Sequence, residues 1–406
     1  MTSDSAHFPL PPLAPFDHQP RTRLVFGVNS VERTGELAKE LGAKKVLLVT
    51  DPGLAAAGHA DRVHKILAAA GLKVSVFDKS RENPTTRCVD DCLAIAKAAN
   101  VELIVGLGGG SSMDTAKGCN FLLTNGGRMQ DYWGIGKAKK PMLPLIAIPT
   151  TAGTGSECQS AALIADEQTH QKMACLDTKA AARIAILDPT LTLSMPATVT
   201  AHTGIDAISH AIESAVTKKR NPLSLMYSHE AVKLLVPGLP RVLKSPKDVE
   251  GRGRMLLGAA LAGLAIENSM LGAAHSAANP LTAHYGVVHG EAVGIMLPAV
   301  VRFNAADKTA LRAYAELAST LELARVRDGE KSALEALIAR LDSLLNLARV
   351  PRSLADCRVE PSKVKLLAEE AAGQWTAAFN PRPVKVEDFV AMYEAAFEQR
   401  SDGDMV

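Results

Sequence analysis

Near residue 195 the sequence changes its hydrophobic period, and this change constrains the fold more than any single motif. Before that point, short β-rich apolar runs alternate with helical stretches: Leu24 to Val28, Val46 to Thr50, Val74 to Phe77, Leu103 to Val105, Leu145 to Ile148 and Ile184 to Leu187. Strands alternating with helices favour a parallel sheet, because parallel neighbours need a crossover connection. After residue 195 the period is helical throughout, in Ser228 to Val236, Met255 to His275, Leu311 to Leu323, Lys331 to Ala348, Ser362 to Ala372 and Val386 to Phe397. The expectation is an α/β N-terminal domain with a mainly parallel sheet over residues 21–195, then an all-α C-terminal domain over 196–406. A chain of 406 residues exceeds what one hydrophobic core usually serves, which agrees with two domains. With no repeat or low-complexity linker at the junction, a tight seam with a ligand cleft is expected there.

Composition removes several classes of function. Lys and Arg number 45 against 43 Asp and Glu, a formal charge of +2 without dense runs of either sign, so nucleic acid and anionic membranes find little to hold. Six cysteines are too scattered for a disulfide framework and form no CxxC pair, which points to reduced thiols in a cytoplasmic protein. The longest uncharged apolar stretch, Met255 to Ile266, is well short of the roughly 20 residues that span a bilayer, and reads as a core helix. Met1 to Pro20 carries five prolines and no basic region leading into an apolar one, and is expected to be a mobile leader.

Gly106-Leu107-Gly108-Gly109-Gly110-Ser111-Ser112-Met113-Asp114 follows an apolar strand and opens a helix-compatible run. Glycines let the backbone approach a phosphate, and the amides at a helix start offer an anion site. The alternative is a strand-to-helix turn with glycines for geometry only. The loop departs from the Rossmann fingerprint: Ser111 takes the sixth position, and the acidic residue ending a strand, Asp51, lies upstream of the glycines rather than downstream. Asp51 would bond a ribose 2′-hydroxyl and repel a 2′-phosphate, favouring NAD, or would simply cap the helix that begins at Pro52. Pro149-Thr150-Thr151-Ala152-Gly153-Thr154-Gly155-Ser156-Glu157 also follows an apolar strand. Its hydroxyls suit phosphate, ribose or nicotinamide, and its Thr154 to Glu157 spacing equally suits a capped turn.

Among eleven histidines, two groups stand out. Asp206 and His210, four apart, share a helical face and are able to share a cation or only a hydrogen bond. His275 sits toward the end of the apolar run from Met255, and His289 precedes the next helical run. An imidazole among Ala, Leu and Gly needs partners, which a metal or a carbonyl supplies. Asp206, His210, His275 and His289 together would suit Fe(II) or Zn(II).

The joint pattern resembles the iron-dependent (group III) alcohol dehydrogenases, a family with lactaldehyde:propanediol oxidoreductases and 1,3-propanediol dehydrogenases among its members. It rests on the glycine loop with Asp114 and Lys117, the segment 149–157, Asp188-Pro189, the segment Thr203 to Glu213, and His275 through Gly290. The resemblance implies a divalent metal, Fe2+ before Zn2+, held by Asp206, His210, His275 and His289 beside a bound NAD. It implies a pyrophosphate loop at Gly109, Gly110, Ser111 and Asp114, a ribose acid at Asp51, cofactor-contacting Thr150, Thr151 and Thr154, and a lysine reaching the cofactor at Lys172. The expected reaction moves a hydride between NAD(H) and an alcohol, aldehyde or ketone, in a homodimer or larger homo-oligomer. Rivals on the same fold are a hydroxyacid–oxoacid transhydrogenase and a maleylacetate reductase; a non-catalytic nucleotide-binding protein is the rival from another class.

One departure bears on proton movement. Lactaldehyde:propanediol oxidoreductases have a further histidine four residues after the third ligand, where this chain has Asn279, and an amide accepts no proton at neutral pH. His284, or the cofactor ribose and water, would have to take its place, and His284 joins His275 and His289 as a catalytic candidate. His202, four before Asp206, is a candidate partner for that carboxylate.

Overall fold

The computed structural model describes residues 15–169 and 171–398. Nine strands are described: β1 (Arg23–Phe26), β2 (Lys45–Val49), β3 (Lys73–Phe77), β4 (Leu103–Gly108), β5 (Gly134–Ile135), β6 (Leu145–Pro149), β7 (Ala161–Ala165), β8 (Lys172–Leu176) and β9 (Ile184–Leu187). Around and after them run α1 (Thr34–Glu40), α2 (Pro52–Ala56), α3 (His59–Ala69), α4 (Thr86–Ala99), α5 (Gly110–Asn125), α6 (Ala197–Ser214) and α7 (Pro222–Lys244). The helical half continues through α8 (Val249–Ser269), α9 (Ala273–Tyr285), α10 (His289–Asn304), α11 (Lys308–Thr320), α12 (Glu330–Leu347), α13 (Val364–Ala372) and α14 (Val386–Ala395).

The main sheet is wholly parallel, in the order β1-β9-β6-β4-β2-β3. Its apolar runs are continuous because helices cover both faces. Along β2, Val46 and Leu48 face one buried cluster with Leu37, Val63 and Leu67, whereas Leu47 and Val49 face another with Cys92, Met113 and Cys119. The alternation of side chains across a strand thus sorts one sequence run into two cores. A third cluster fills the helical half and also takes in Ala152, Cys158, Ala185 and Leu187 from the first half, so the two halves share packing. The architecture is the expected α/β half followed by a helical half.

Three readings of the sequence need correction. The small second sheet, β5-β8-β7, escaped notice because two of its strands are short runs containing Ala, a poor strand former, and the third has two residues. The apolar run from Met255 to His275 is two helices rather than one: α8 stops at Ser269, Met270 takes φ 82°, and the axis turns by 107° before α9 starts. His275 therefore lies in the first turn of α9. Most of the leader, residues 1–14, lies outside the described residues; within 15–20, His18 is tied down, its Nδ1 2.9 Å from Asn268 Oδ1. Among the described residues, no single helix is long and apolar enough to cross a membrane.

Candidate metal and cofactor site

Strands β2, β4 and β6 are neighbours and parallel, so the segments that leave their C-terminal ends emerge side by side. Those segments carry Asp51, the glycine loop and the threonine loop. Open α/β sheets bind ligands at this edge. Gly109 caps α5, leaving the first amides of Gly110, Ser111 and Ser112 without helical partners. Gly109, Gly110 and Ser111 are half-buried, with one side open. A Cβ on Gly110 would stand 2.8 Å from Thr154 Cγ2, so glycine here lets the two loops close on each other.

Asp51 caps α2 and also reaches the glycine loop. Its Oδ1 accepts from the Leu54 amide at 3.0 Å as a helix cap, and its Oδ2 accepts from Ser112 Oγ at 3.4 Å, which ties it to the glycine loop. Thr150 is buried, and Thr151 and Thr154 are half-buried beside the glycines. Asp114 is turned inward: it is buried, accepts from Ser156 Oγ at 3.1 Å, and burial raises its pKa against the pull of Lys117 and Lys172. It thus joins the two loops from below instead of lining their open side. Lys117 is wholly buried, its ammonium donating to the carbonyls of Ser156, Gln159 and Ala161 and to Ser156 Oγ at 2.7–2.9 Å. Lys172, on β8, is exposed, its ammonium donating to Asn83 Oδ1 at 3.3 Å. Surrounding protein lowers its pKa, opposed by the charges of Asp114 and Asp206.

The four candidate ligands come from three helices. Asp206 and His210 lie on buried turns of α6, His275 at the start of α9, and His289 is the first residue of α10. A Cβ on Gly290 would stand 2.1 Å from the His202 carbonyl oxygen, and glycine is what allows α10 to begin against α6. The three imidazole Nε2 atoms converge on one carboxylate oxygen: Asp206 Oδ1 is 3.4 Å from His210, 3.4 Å from His275 and 3.8 Å from His289. Asp206, His210 and His275 each offer a ligand atom within 4.8 Å of the others, with His289 slightly farther out and 35% exposed.

Asp206 Oδ1 and His275 Nε2 are buried and make no hydrogen bond. Leaving such atoms unsatisfied costs roughly 1–3 kcal/mol each. A divalent cation would satisfy both, and one carboxylate with three imidazoles is a donor set that iron(II) and zinc accept. The arrangement therefore fits a metal. Electrostatics point the same way. Burial would raise the Asp206 carboxyl, but the three histidines hold it well below its ordinary range. Burial lowers His210 to about 4 despite Asp206, so its imidazole is neutral and free to donate a lone pair.

His275 has a partner that the sequence did not disclose. Its Nδ1 lies 2.5 Å from Glu213 Oε2, and Glu213 Oε1 accepts from the Ala274 amide at 2.7 Å. One carboxylate thus meets an orphan amide of α9 and fixes the ring so that Nε2 faces Asp206. Burial works against a charged His275, yet the nearby carboxylates of Asp206 and Glu213 carry it up to about 9. The signal available in the sequence was Glu213 on the face of α6, seven residues past Asp206.

Two expectations fail on geometry. His284 is nine residues past His275 on α9, about half a turn round the helix and about 13 Å along it. It is exposed and paired with Glu370 at 2.8 Å, so it does not substitute for a histidine at position 279. His202 forms no ion pair with Asp206, because its ring is engaged elsewhere. It meets Glu291 Oε1 at 3.2 Å instead.

Two family models match the chain: iron-containing alcohol dehydrogenase over residues 20–189, and the C-terminal part of the Fe-containing alcohol dehydrogenase family over 200–397. The chain is 35% identical to the NAD-dependent methanol dehydrogenase of Bacillus methanolicus, over 92% of this chain and 97% of that one. It is 32% identical to the 1,3-propanediol dehydrogenase of Klebsiella pneumoniae, over 92% and 96%. Among solved structures, the alcohol dehydrogenase from Oenococcus oeni matches with a TM-score of 0.91 at 31% identity, over 94% of this chain and 100% of that one.

Proposed function

The chain belongs to the iron-containing alcohol dehydrogenase family, and from that premise we propose how its own residues divide an NAD-linked interconversion of alcohols and aldehydes. A bound NAD(H) would supply hydride chemistry and a bound divalent cation, iron(II) foremost, would supply Lewis acidity at the substrate oxygen. Asp206, His210, His275 and His289 would hold the cation. The observation that carries this assignment is the convergence of three Nε2 atoms on the buried, unbonded Asp206 Oδ1.

Glu213 keeps the proton of His275 on Nδ1, so that Nε2 presents its lone pair. His289, the most open of the four, borders the side from which substrate arrives. The amides of Gly110 and Ser111 would receive a pyrophosphate beside Gly109, while Thr150, Thr151 and Thr154 would border the cofactor and Lys172 would reach it from β8. Asp114 positions both loops through Ser156. Asp51 would accept from the ribose hydroxyls and repel a 2′-phosphate, favouring NAD over NADP. With Asn279 and His284 both unsuited as bases, the hydroxyl proton would pass to water.

Pairing of two chains through β1 is supported by its place at the sheet edge, with Phe26 and Val28 half or more exposed. A reduced cytoplasmic setting is supported by six cysteines that are all unpaired. The reading is tested by assaying iron(II)-loaded protein anaerobically with short alcohols or aldehydes and added NAD(H). Turnover that depends on added cofactor is expected. Hydride exchange between two substrates without added NAD would instead favour the transhydrogenase.

A further inference from the structure

Lys117 is wholly buried about two turns past Gly110 on α5, the helix whose first amides form the anion site. Its Nζ lies 2.7 Å from the Ser156 carbonyl oxygen, 2.9 Å from Ser156 Oγ, 2.8 Å from the Gln159 carbonyl and 2.9 Å from the Ala161 carbonyl. Ser156 Oγ directs its own proton to Asp114 Oδ1 at 3.1 Å, so all four oxygens face Lys117 as acceptors. An ammonium meets such a cage with three N–H donors, whereas a neutral amine has only two. Burial lowers the pKa of Lys117, and Asp114, Glu267 and Glu157 oppose the loss of its charge.

The caged segment lies where the two halves of the site meet. Thr154 Oγ1 accepts from the Ser156 amide at 3.3 Å, and the Thr154 carbonyl accepts from Gln159 Nε2 at 2.7 Å, so Lys117 holds both residues that hold Thr154. Gly153 packs on α6, where a Cβ would stand 2.7 Å from Thr203 Cβ; Gly155 packs on α8, where a Cβ would stand 2.7 Å from Gly263 Cα. Ser160 donates through its amide and its hydroxyl to Glu267 of α8, at 2.9 and 2.7 Å. We propose that Lys117 is a positioning residue for the cofactor, an internal cation that fixes the threonine loop between α5 and the helical half. This rests on the metal and cofactor reading above. Without the charge, four buried acceptors lose their donor, and the loop must shift to find another. Thr154 moves with it, and the cofactor loses its register with the metal ligands.

The test uses anaerobic iron(II)-loaded parent, Lys117→Met and Lys117→Ala, with folding checked by circular dichroism. Iron content, the NAD dissociation constant and kcat with 1-propanol are measured on each. Lys117→Met, similar in length but uncharged, is expected to keep its iron, bind NAD about tenfold more weakly and turn over several-fold more slowly. In Lys117→Ala, n-propylammonium supplies the missing atoms from Cγ to Nζ and should restore most of the lost NAD affinity. Tetramethylammonium at equal ionic strength has no N–H and should not. A folded Lys117→Met protein with the parent's NAD affinity overturns the inference, as do loss of iron together with NAD and equal effects of the two cations. If neither Lys117 variant folds, Ser156→Ala, which removes one acceptor, must weaken NAD binding with iron retained, and parental binding overturns the inference. If the parent itself binds no NAD, the underlying reading fails and this inference with it.

Discussion

The two walls of the candidate site are made by opposite means. The cofactor wall uses backbone at the ends of β2, β4 and β6, where absent side chains and unpaired amides do the work. The metal wall uses side-chain atoms from three helices, where a buried oxygen and nitrogen must land within a few ångströms of each other. Backbone at a strand end is fixed by the sheet, so the first wall tolerates most side-chain changes. The second depends on rotamers, and each rotamer depends on a neighbour. Single substitutions should therefore harm the metal wall more than the cofactor wall.

Among residues that do not themselves hold the cation, the largest effect is expected from Glu213→Gln. An amide keeps the shape of the carboxylate but removes its charge, leaving the His275 ring less firmly set. Iron or zinc affinity should fall about 10–100-fold, measured by competition with a chelator. An unchanged affinity would show that the metal wall needs no such support. A smaller effect is expected from pH. In the metal-free protein His275 is raised to about 9, whereas His210 is lowered to about 4. At pH 7 a cation must therefore displace one proton from His275 and none from His210. Zinc affinity should rise up to about tenfold per pH unit between 7 and 9, with about one proton released, as read by calorimetry in two buffers. Release of no proton would contradict the His275 assignment. For the metal-free protein the sign is opposite: the raised pKa contributes stability below about 6.5, lost as pH climbs through 9. The smallest effect is on the cofactor wall, where Asp51→Gly should improve NADP relative to NAD by several-fold, judged from kcat/KM for each. An unaltered preference would leave Asp51 as only the cap of α2.

Much of the main sheet was legible because parallel strands buried on both faces appear as unbroken apolar runs, and Ile184 to Leu187 matches β9 at both ends. The second sheet was not, since its apolar runs, Ala161 to Ala165 and Met173 to Leu176, contain Ala, which disfavours strands, and Gly134 to Ile135 is only two residues long. The break between α8 and α9 was marked by Glu267, Asn268 and Ser269, but apolar residues resume at Met270 and Leu271 and the helical period reads on while the backbone turns. Within the site, residue types and spacings brought out Asp206, His210, His275 and His289. Sequence distance misled at His284, because nearness along a helix is not nearness on its face. The roles of Glu213 and Lys117 stayed hidden because their partners, His275 and the carbonyls near Ser156, are far away in the chain.

The central claim is that one divalent cation is held by Asp206 and three imidazoles. Its most direct measurement is the iron content of anaerobically loaded Asp206→Ala beside the parent, with folding of both checked by circular dichroism. One iron per parent chain and almost none in a folded Asp206→Ala protein is the predicted result. A folded Asp206→Ala protein that still binds one iron per chain as tightly as the parent would contradict the account.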